Sequence, residues 1–163
     1  MSSDEIRDQG PPAGFRLLAP FDPLTAALAP LYASEHPDGS MVVGFRIGPQ
    51  HCNPRGTCHG GTWATLADVL MGVNAGLLTG VTGPTISMHI DYMSAGVPGQ
   101  WIEGHARVLS HSPGLCFVEC TFCADGRILL LASAIFRRKR VYDRMVSGLF
   151  ADPAFVGGAD GTA

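Results

Sequence analysis

Between Gly56 and Ile90 the chain carries a single charged side chain, Asp68. Around it, from about Gly61 to Leu78, apolar residues recur at helical spacing. Leu66, Leu70, Val73 and Leu77 fall on one stripe, with Trp63 at its edge. Gly72, Gly76, Ala64, Ala75 and Asp68 lie on another face, where small side chains permit close backbone approach. A helix apolar or small nearly all round has to be buried on most sides. Whatever else the chain does, it must wrap this segment.

The remaining pattern supplies the wrapping. Asp22 and Pro23 read as the cap and first residue of a short helix from Phe21 to Ala29, which Pro30 ends. Leu31 to Glu35 and Met41 to Ile47 read as a hairpin around His36-Pro37-Asp38-Gly39. After Gly83-Pro84, apolar residues alternate through Ile86, Met88, Ile90 and Tyr92. Three further strands follow, Trp101 to Ser110, Leu115 to Ala124 and Arg127 to Arg137, with turns at residues 111–114 and 125–126. The last is apolar on both faces and belongs inside a sheet. Two strands, a long helix and four strands imply an α+β fold, one antiparallel sheet of about six strands wrapped around one central helix. Residues 1–13 read as a mobile tail, 14–140 as the single domain, and 141–163 as a short helix followed by a flexible tail.

Composition limits the partners. Charged residues are 15% of the 163, against about 25% in an ordinary soluble domain. Less surface can therefore face water, and an oligomer that hides part of it is expected. A net charge of −3 gives no whole-domain attraction to nucleic acid. Neither a leader-type apolar segment nor a membrane-length run is present, so a cytoplasmic protein is expected. The five cysteines, mostly within apolar runs, read as small buried hydrophobes in a reducing compartment, and no metal site is expected.

A lone carboxylate in an apolar helix is costly unless it is hydrogen-bonded, neutral or used. Asp68 alone is equally consistent with a satisfied buried group and with a working one. Directly before the helix runs His51-Cys52-Asn53-Pro54-Arg55-Gly56-Thr57-Cys58-His59-Gly60-Gly61. The free N–H groups of a Gly-rich helix N-terminus suit an oxyanion or a polarised carbonyl, although glycines also simply make a tight turn. Asn53 is one of two asparagines. Its amide can donate to a carbonyl or orient a water, or it can form an Asx-turn before Pro54. His59 reads either as an acid or base or, more simply, as a residue bracing the loop. Gly60 and Asp68 are eight residues apart, about 12 Å along a helix. One chain can hardly bring both to one carbonyl, whereas two antiparallel helices in a dimer can.

Asn53, Gly56, His59-Gly60-Gly61 and Asp68 form the pattern N-x-x-G-x-x-H-G-G-x(6)-D. With the strand Thr85 to Ser94 behind it, this resembles the hotdog-fold thioesterases of the phenylacetyl-CoA thioesterase type, in the subgroup with Asp at the helix position. The resemblance covers about residues 30–138. It implies a homodimer, often paired into a homotetramer, that hydrolyses acyl-CoA thioesters. Carried over by position, Asp68 is the general base or nucleophile, and Asn53 and the Gly60 N–H hold the carbonyl or the water. Thr85, seven residues before Tyr92, positions the attacking water. Such a reaction needs a base and an electrophilic cradle, so no cofactor is expected; CoA is part of the substrate. Gly61, Arg107, Ser110, Arg137, Arg138 and Lys139 are candidates for binding the substrate and its CoA phosphates, with the 111–114 loop beside them. The run Arg137 to Arg140 also reads as a charged stop after an apolar strand. Met71, Leu78, Met88 and Met93 are candidates for an adaptable acyl pocket. The alternatives are a non-catalytic acyl-CoA-binding hotdog protein and a hotdog hydratase or dehydratase.

Overall fold

The structure, a computed structural model, describes residues 10–139. The helix expected at 141–150, Arg140 and the outer parts of both tails lie outside the described residues. In chain order the elements are β1 (Arg16–Leu17), α1 (Pro23–Ala27), β2 (Tyr32–Glu35), β3 (Met41–Arg46), a 3₁₀ turn (Pro49–His51), α2 (Gly60–Thr79), β4 (Thr85–Tyr92), β5 (Trp101–His111), β6 (Leu115–Ala124) and β7 (Arg127–Arg137).

The strands form one antiparallel sheet in the order β1-β2-β3-β5-β6-β7-β4. It has seven strands rather than about six. The addition is β1, too short to show a period, which pairs Arg16 with Ala33 and Leu17 with Tyr32. Placement of β4 is the topological point that matters. The chain leaves β3, runs through α2, and enters the far edge of the sheet before returning to β5. Among the described residues β4 pairs with β7 alone.

α2 packs against β3, β4, β5, β6 and β7. Its buried residues include Trp63, Leu66, Ala67, Leu70, Met71 and Val73, with Asn74 and Thr62. The expected stripe is there, widened by polar residues that are hydrogen-bonded. Close approach is visible at Gly104 in β5, where a Cβ would lie 2.4 Å from Phe122 and 2.9 Å from Leu70. The helix ends at Gly80, whose φ of 69° is the left-handed conformation a C-cap uses. α1 is shorter than expected, but Asp22 caps it, accepting from the Leu24 and Thr25 N–H groups at 2.8 and 2.9 Å. Both faces of β7 read as apolar in the sequence. Among the described residues only one is covered, by Leu130, Ala132, Ala134 and Phe136 turned to the core, and Ile128 and Leu131 on the other face remain 44% and 36% exposed.

Asn74 fastens the helix to the sheet. Its Oδ1 accepts the Met41 N–H at 2.8 Å, and its Nδ2 donates to the Met41 carbonyl at 3.0 Å. It is fully buried and serves the first residue of β3 as a strand partner would. Asn74→Leu keeps the volume but orphans both Met41 groups, each worth about 1–3 kcal/mol when left unsatisfied in the interior. A loss of about 2–4 kcal/mol in urea unfolding is expected. A loss below about 0.5 kcal/mol would mean that Met41 finds other partners.

Candidate functional site

The site begins at a buried histidine. His51 is 0% exposed and sits edge-on to Phe45, ring centroids 5.2 Å apart. Its Nδ1 accepts the Gly48 N–H at 2.9 Å, and its Nε2 lies 2.8 Å from the Leu28 carbonyl. That pair of partners requires a neutral ring protonated on Nε2. The His51 carbonyl in turn accepts the His59 N–H at 2.8 Å and the Thr62 hydroxyl at 3.1 Å. One residue thus braces both ends of the 52–58 loop and the start of α2.

Within that loop Asn53 makes the Asx-turn that its sequence context allowed, and its amide has a further partner. Its Oδ1 accepts the Arg55 N–H at 2.9 Å, forming the Asx-turn. Its Nδ2 donates to the Thr57 hydroxyl at 3.0 Å, and an amide nitrogen has a second hydrogen to offer. His59 is the N-cap of α2, and its Nδ1 accepts the Gly61 N–H at 2.8 Å. Among the described residues nothing accepts from the Gly60 N–H, the first of the helix. The Gly60 carbonyl accepts the Tyr92 hydroxyl at 3.1 Å, which fixes this turn to the end of β4. Asn53, Arg55, Cys58, Gly60, Gly61, Trp63, Tyr92 and Met93 line a cleft of about 750 Å³ with Ser94 and Ala95. Its lining contains a guanidinium, helix N–H groups and no carboxylate, so it favours electron-rich oxygen.

Asp68 does not line that cleft. It is half-buried on the flank of α2, and the Thr85 hydroxyl donates to its Oδ1 at 2.6 Å. Thr85 opens β4, and Tyr92 closes it. A single chain therefore presents two separate groups of candidate side chains: Asp68 with Thr85, and Asn53 with His59, Gly60 and Tyr92.

The basic residues gather at the Thr85 end. Thr85 pairs with Phe136, the Arg137 N–H donates to the Pro84 carbonyl, and the Arg138 N–H to the Gly114 carbonyl. The 111–114 loop and Arg138 are thus neighbours, and Arg137 and Lys139 are exposed. Arg138 is already engaged. Its guanidinium meets the Ser112 carbonyl at 2.6 Å, His111 Nδ1 at 3.3 Å and the Thr79 carbonyl at 3.3 Å. It closes the C-terminal end of α2, where a cation is favoured. Arg107 is paired with Glu119 at 2.7 Å, and Ser110 follows a bulge in β5. Of the candidate acyl-pocket residues, Met93 lines the cleft, Met71 is in the core, Met88 packs partly against the core and Leu78 is exposed.

Sequence reasoning missed His51, Thr57 and Arg55 as parts of the site, and gave Tyr92 no role of its own. Arg55 and Thr57 lie inside the motif that was singled out, so their position was the available signal. The Tyr92 contact joins residues 32 apart, and nothing local announces it.

Residues 55–130 match the family model described as the thioesterase superfamily. The chain is 32% identical over 127 residues to protein PA0474 of Pseudomonas aeruginosa, whose name proposes an esterase; the match covers 77% of this chain and 95% of that one. It is 35% identical over 95 residues to human acyl-coenzyme A thioesterase 13, covering 56% of this chain and 67% of the relative. Among solved structures, zebrafish thioesterase superfamily member 2 superposes with a TM-score of 0.67 at 22% identity, covering 84% and 93% of the two chains. A variant of the phenylacetic acid degradation protein PaaI from Thermus thermophilus gives 0.64 at 24%, covering 72% and 100%. A Bacillus halodurans protein determined with CoA gives 0.59 at 29%, covering 68% and 74%.

Burial holds the His51 pKa below its ordinary 6.5, against the opposing effect of its bond to the Leu28 carbonyl. Protonating Nδ1 would also cost the Gly48 N–H its acceptor. The folded state therefore binds this proton less readily than the unfolded chain. His51's contribution to stability is present above about pH 6.5 and is lost as pH falls through the folded value. Melting midpoints measured between about pH 8 and about pH 5 should fall more steeply for the wild type than for His51→Gln. Parallel slopes would show that the ring titrates without strain.

Proposed function

Because the chain belongs to the thioesterase superfamily, we propose that it hydrolyses acyl-CoA thioesters to the free acid and CoA. The observation that carries this reading is the Thr85 hydroxyl bound to Asp68 at 2.6 Å. The one charge of the central helix is held in a fixed orientation, with one carboxylate oxygen engaged and the other left to meet a water.

The chemistry follows from the two groups of side chains. Asp68 takes the proton of the water as its oxygen attacks the thioester carbonyl carbon. Charge develops on the carbonyl oxygen, where the Gly60 N–H and the Asn53 amide donate to it. The C–S bond breaks, and CoA leaves as a thiolate, a good leaving group that needs little help from an acid. Direct attack by Asp68, through an anhydride that water then opens, uses the same donors. No cofactor enters. Exposed Arg137 and Lys139 near Thr85 suit the CoA phosphates.

The working site is composed of two chains. Asp68 and Gly60 are about 12 Å apart along one helix, but β4 carries one group at each end. Antiparallel pairing of two β4 edges about their midpoint, between Met88 and His89, sets Thr85 of each chain beside Tyr92 of the other. Ile86, Tyr92 and Met93, 54–56% exposed in the single chain, are covered in such a homodimer. A dimer can pair again into a tetramer through the apolar outer residues of β7. A hydratase would need a histidine paired with a second acid. Here His59 Nδ1 is occupied as a helix cap, and that favours hydrolysis.

Asp68→Asn should lower kcat by roughly two orders of magnitude or more with folding intact. Release of CoA from an acyl-CoA panel, followed by mass spectrometry, measures this and identifies the acyl class. Release unaffected by the substitution would remove Asp68 from the mechanism. The shared site has its own test. Asp68→Asn and Asn53→Ala chains, each impaired alone, should recover activity when co-expressed, since one site of the mixed dimer is intact. Absence of recovery in isolated mixed dimers would place both groups of side chains in one subunit's site.

A further inference from the structure

The proposed hydrolysis uses none of the five cysteines. Three of them lie in β6, each with non-cysteine neighbours across the sheet: Cys116 between His111 and Phe136, Cys120 between Ala106 and Ala132, Cys123 between Glu103 and Ile128. The other two face each other. Cys52 and Cys58 are direct partners in an isolated antiparallel bridge outside the sheet.

The bridge has a particular geometry. Its flanking hydrogen bonds run from the Asn53 N–H to the Thr57 carbonyl and from the His59 N–H to the His51 carbonyl, both 2.8 Å. The two cysteines are therefore a non-hydrogen-bonded pair, the kind whose Cα atoms approach to about 4.5 Å with side chains on one face. A disulfide spans Cα separations of about 4.4–6.8 Å. The thiols sense one another as well: after burial, the charge of Cys52 is the second cause holding the Cys58 thiol un-ionised. Cys58 is buried and lines the cleft, while Cys52 is half-buried with its Sγ on the Gly48 carbonyl at 3.4 Å.

We propose that Cys52 and Cys58 are a modification site for hydrogen peroxide, forming a reversible disulfide that closes the base of the loop bearing Asn53. Cys52, the more accessible, gives up its proton, and its thiolate attacks a peroxide oxygen. The O–O bond breaks, leaving a sulfenic acid on Cys52 and, once protonated, a water. The Cys58 sulfur then attacks the Cys52 sulfur, the S–S bond forms, the S–O bond breaks and a second water leaves. Two thiols lose two electrons and two protons, and the peroxide is reduced to two waters. A dithiol reverses the bond by exchange. The new link lies next to the rung between Asn53 and Thr57, so it locks in place the donor amide of the proposed carbonyl cradle.

Burial raises both thiols above their ordinary range, Cys58 to about 12. Few thiolates exist near neutrality, so the oxidation is slow there and accelerates as pH rises.

The test treats the full-length protein with hydrogen peroxide, blocks remaining thiols, digests it and maps the peptides by mass spectrometry. The expected product joins the peptides of Cys52 and Cys58, lighter by two hydrogen atoms. It should form faster at higher pH, disappear on treatment with dithiothreitol, and be absent from Cys52→Ser and from Cys58→Ala. Circular dichroism checks that each variant folds. Three results overturn the proposal: both thiols still open to alkylation, Cys52 passing to sulfinic acid while Cys58 stays free, or a link from either to a β6 cysteine. The readout requires no turnover, so failure here is separable from failure of the hydrolase reading.

Discussion

A helix that offers water almost nothing must be covered on every side, and one sheet covers only part of it. That constraint organises the molecule. The sheet takes the Trp63, Leu66, Leu70 and Val73 side and holds it through a core that includes Phe45, Ile102, Phe122 and Leu130. The other flank, with Ala64, Asp68, Gly72 and Gly76, remains only half-buried. Small residues there leave little apolar side chain to hide, and a second helix can approach closely. The single charge of the segment lies on this flank, where its hydration is only partly lost.

Polar groups under the site are arranged by the same economy. Asn74, His51 and Thr62 are buried and hydrogen-bonded, and each serves backbone that the sheet and helix cannot pair. Asn74 completes β3 at Met41. His51 holds the 3₁₀ turn and presents its carbonyl to the start of α2. Such groups contribute modestly when paired and are costly when broken. They therefore fix the position of the Asn53 loop more firmly than its own few contacts would.

Much of this could be read from the sequence, for identifiable reasons. α2 was legible because Leu66, Leu70, Val73 and Leu77 recur at helical spacing in a long segment with one charge, and the β5–β6 and β6–β7 hairpins because their turns are local. The candidates Asn53, His59, Gly60 and Asp68 stood out through a motif of fixed spacing, and the fold divides them between two places. β1 was not, since two residues carry no period. The place of β4 at the far edge was not either, because pairing of Thr85–Tyr92 with β7 joins residues some forty to fifty apart. Arg138 looked like one of a run of surface cations. Only the fold shows it reaching back to Thr79, at the end of the helix. The Cys52–Cys58 bridge falls in a loop without alternation, so the pattern reading saw two separate small hydrophobes.

Strand β4 is joined to the sheet along one side and to the central helix at both ends, by Thr85 to Asp68 and by Tyr92 to Gly60. It behaves as a tie-rod. Its length sets where the carboxylate at one end and the helix N-terminus at the other stand relative to the sheet. Eight residues of extended backbone thus act as a ruler between the two groups of side chains, and the spacing is as fixed as the strand's own rise per residue.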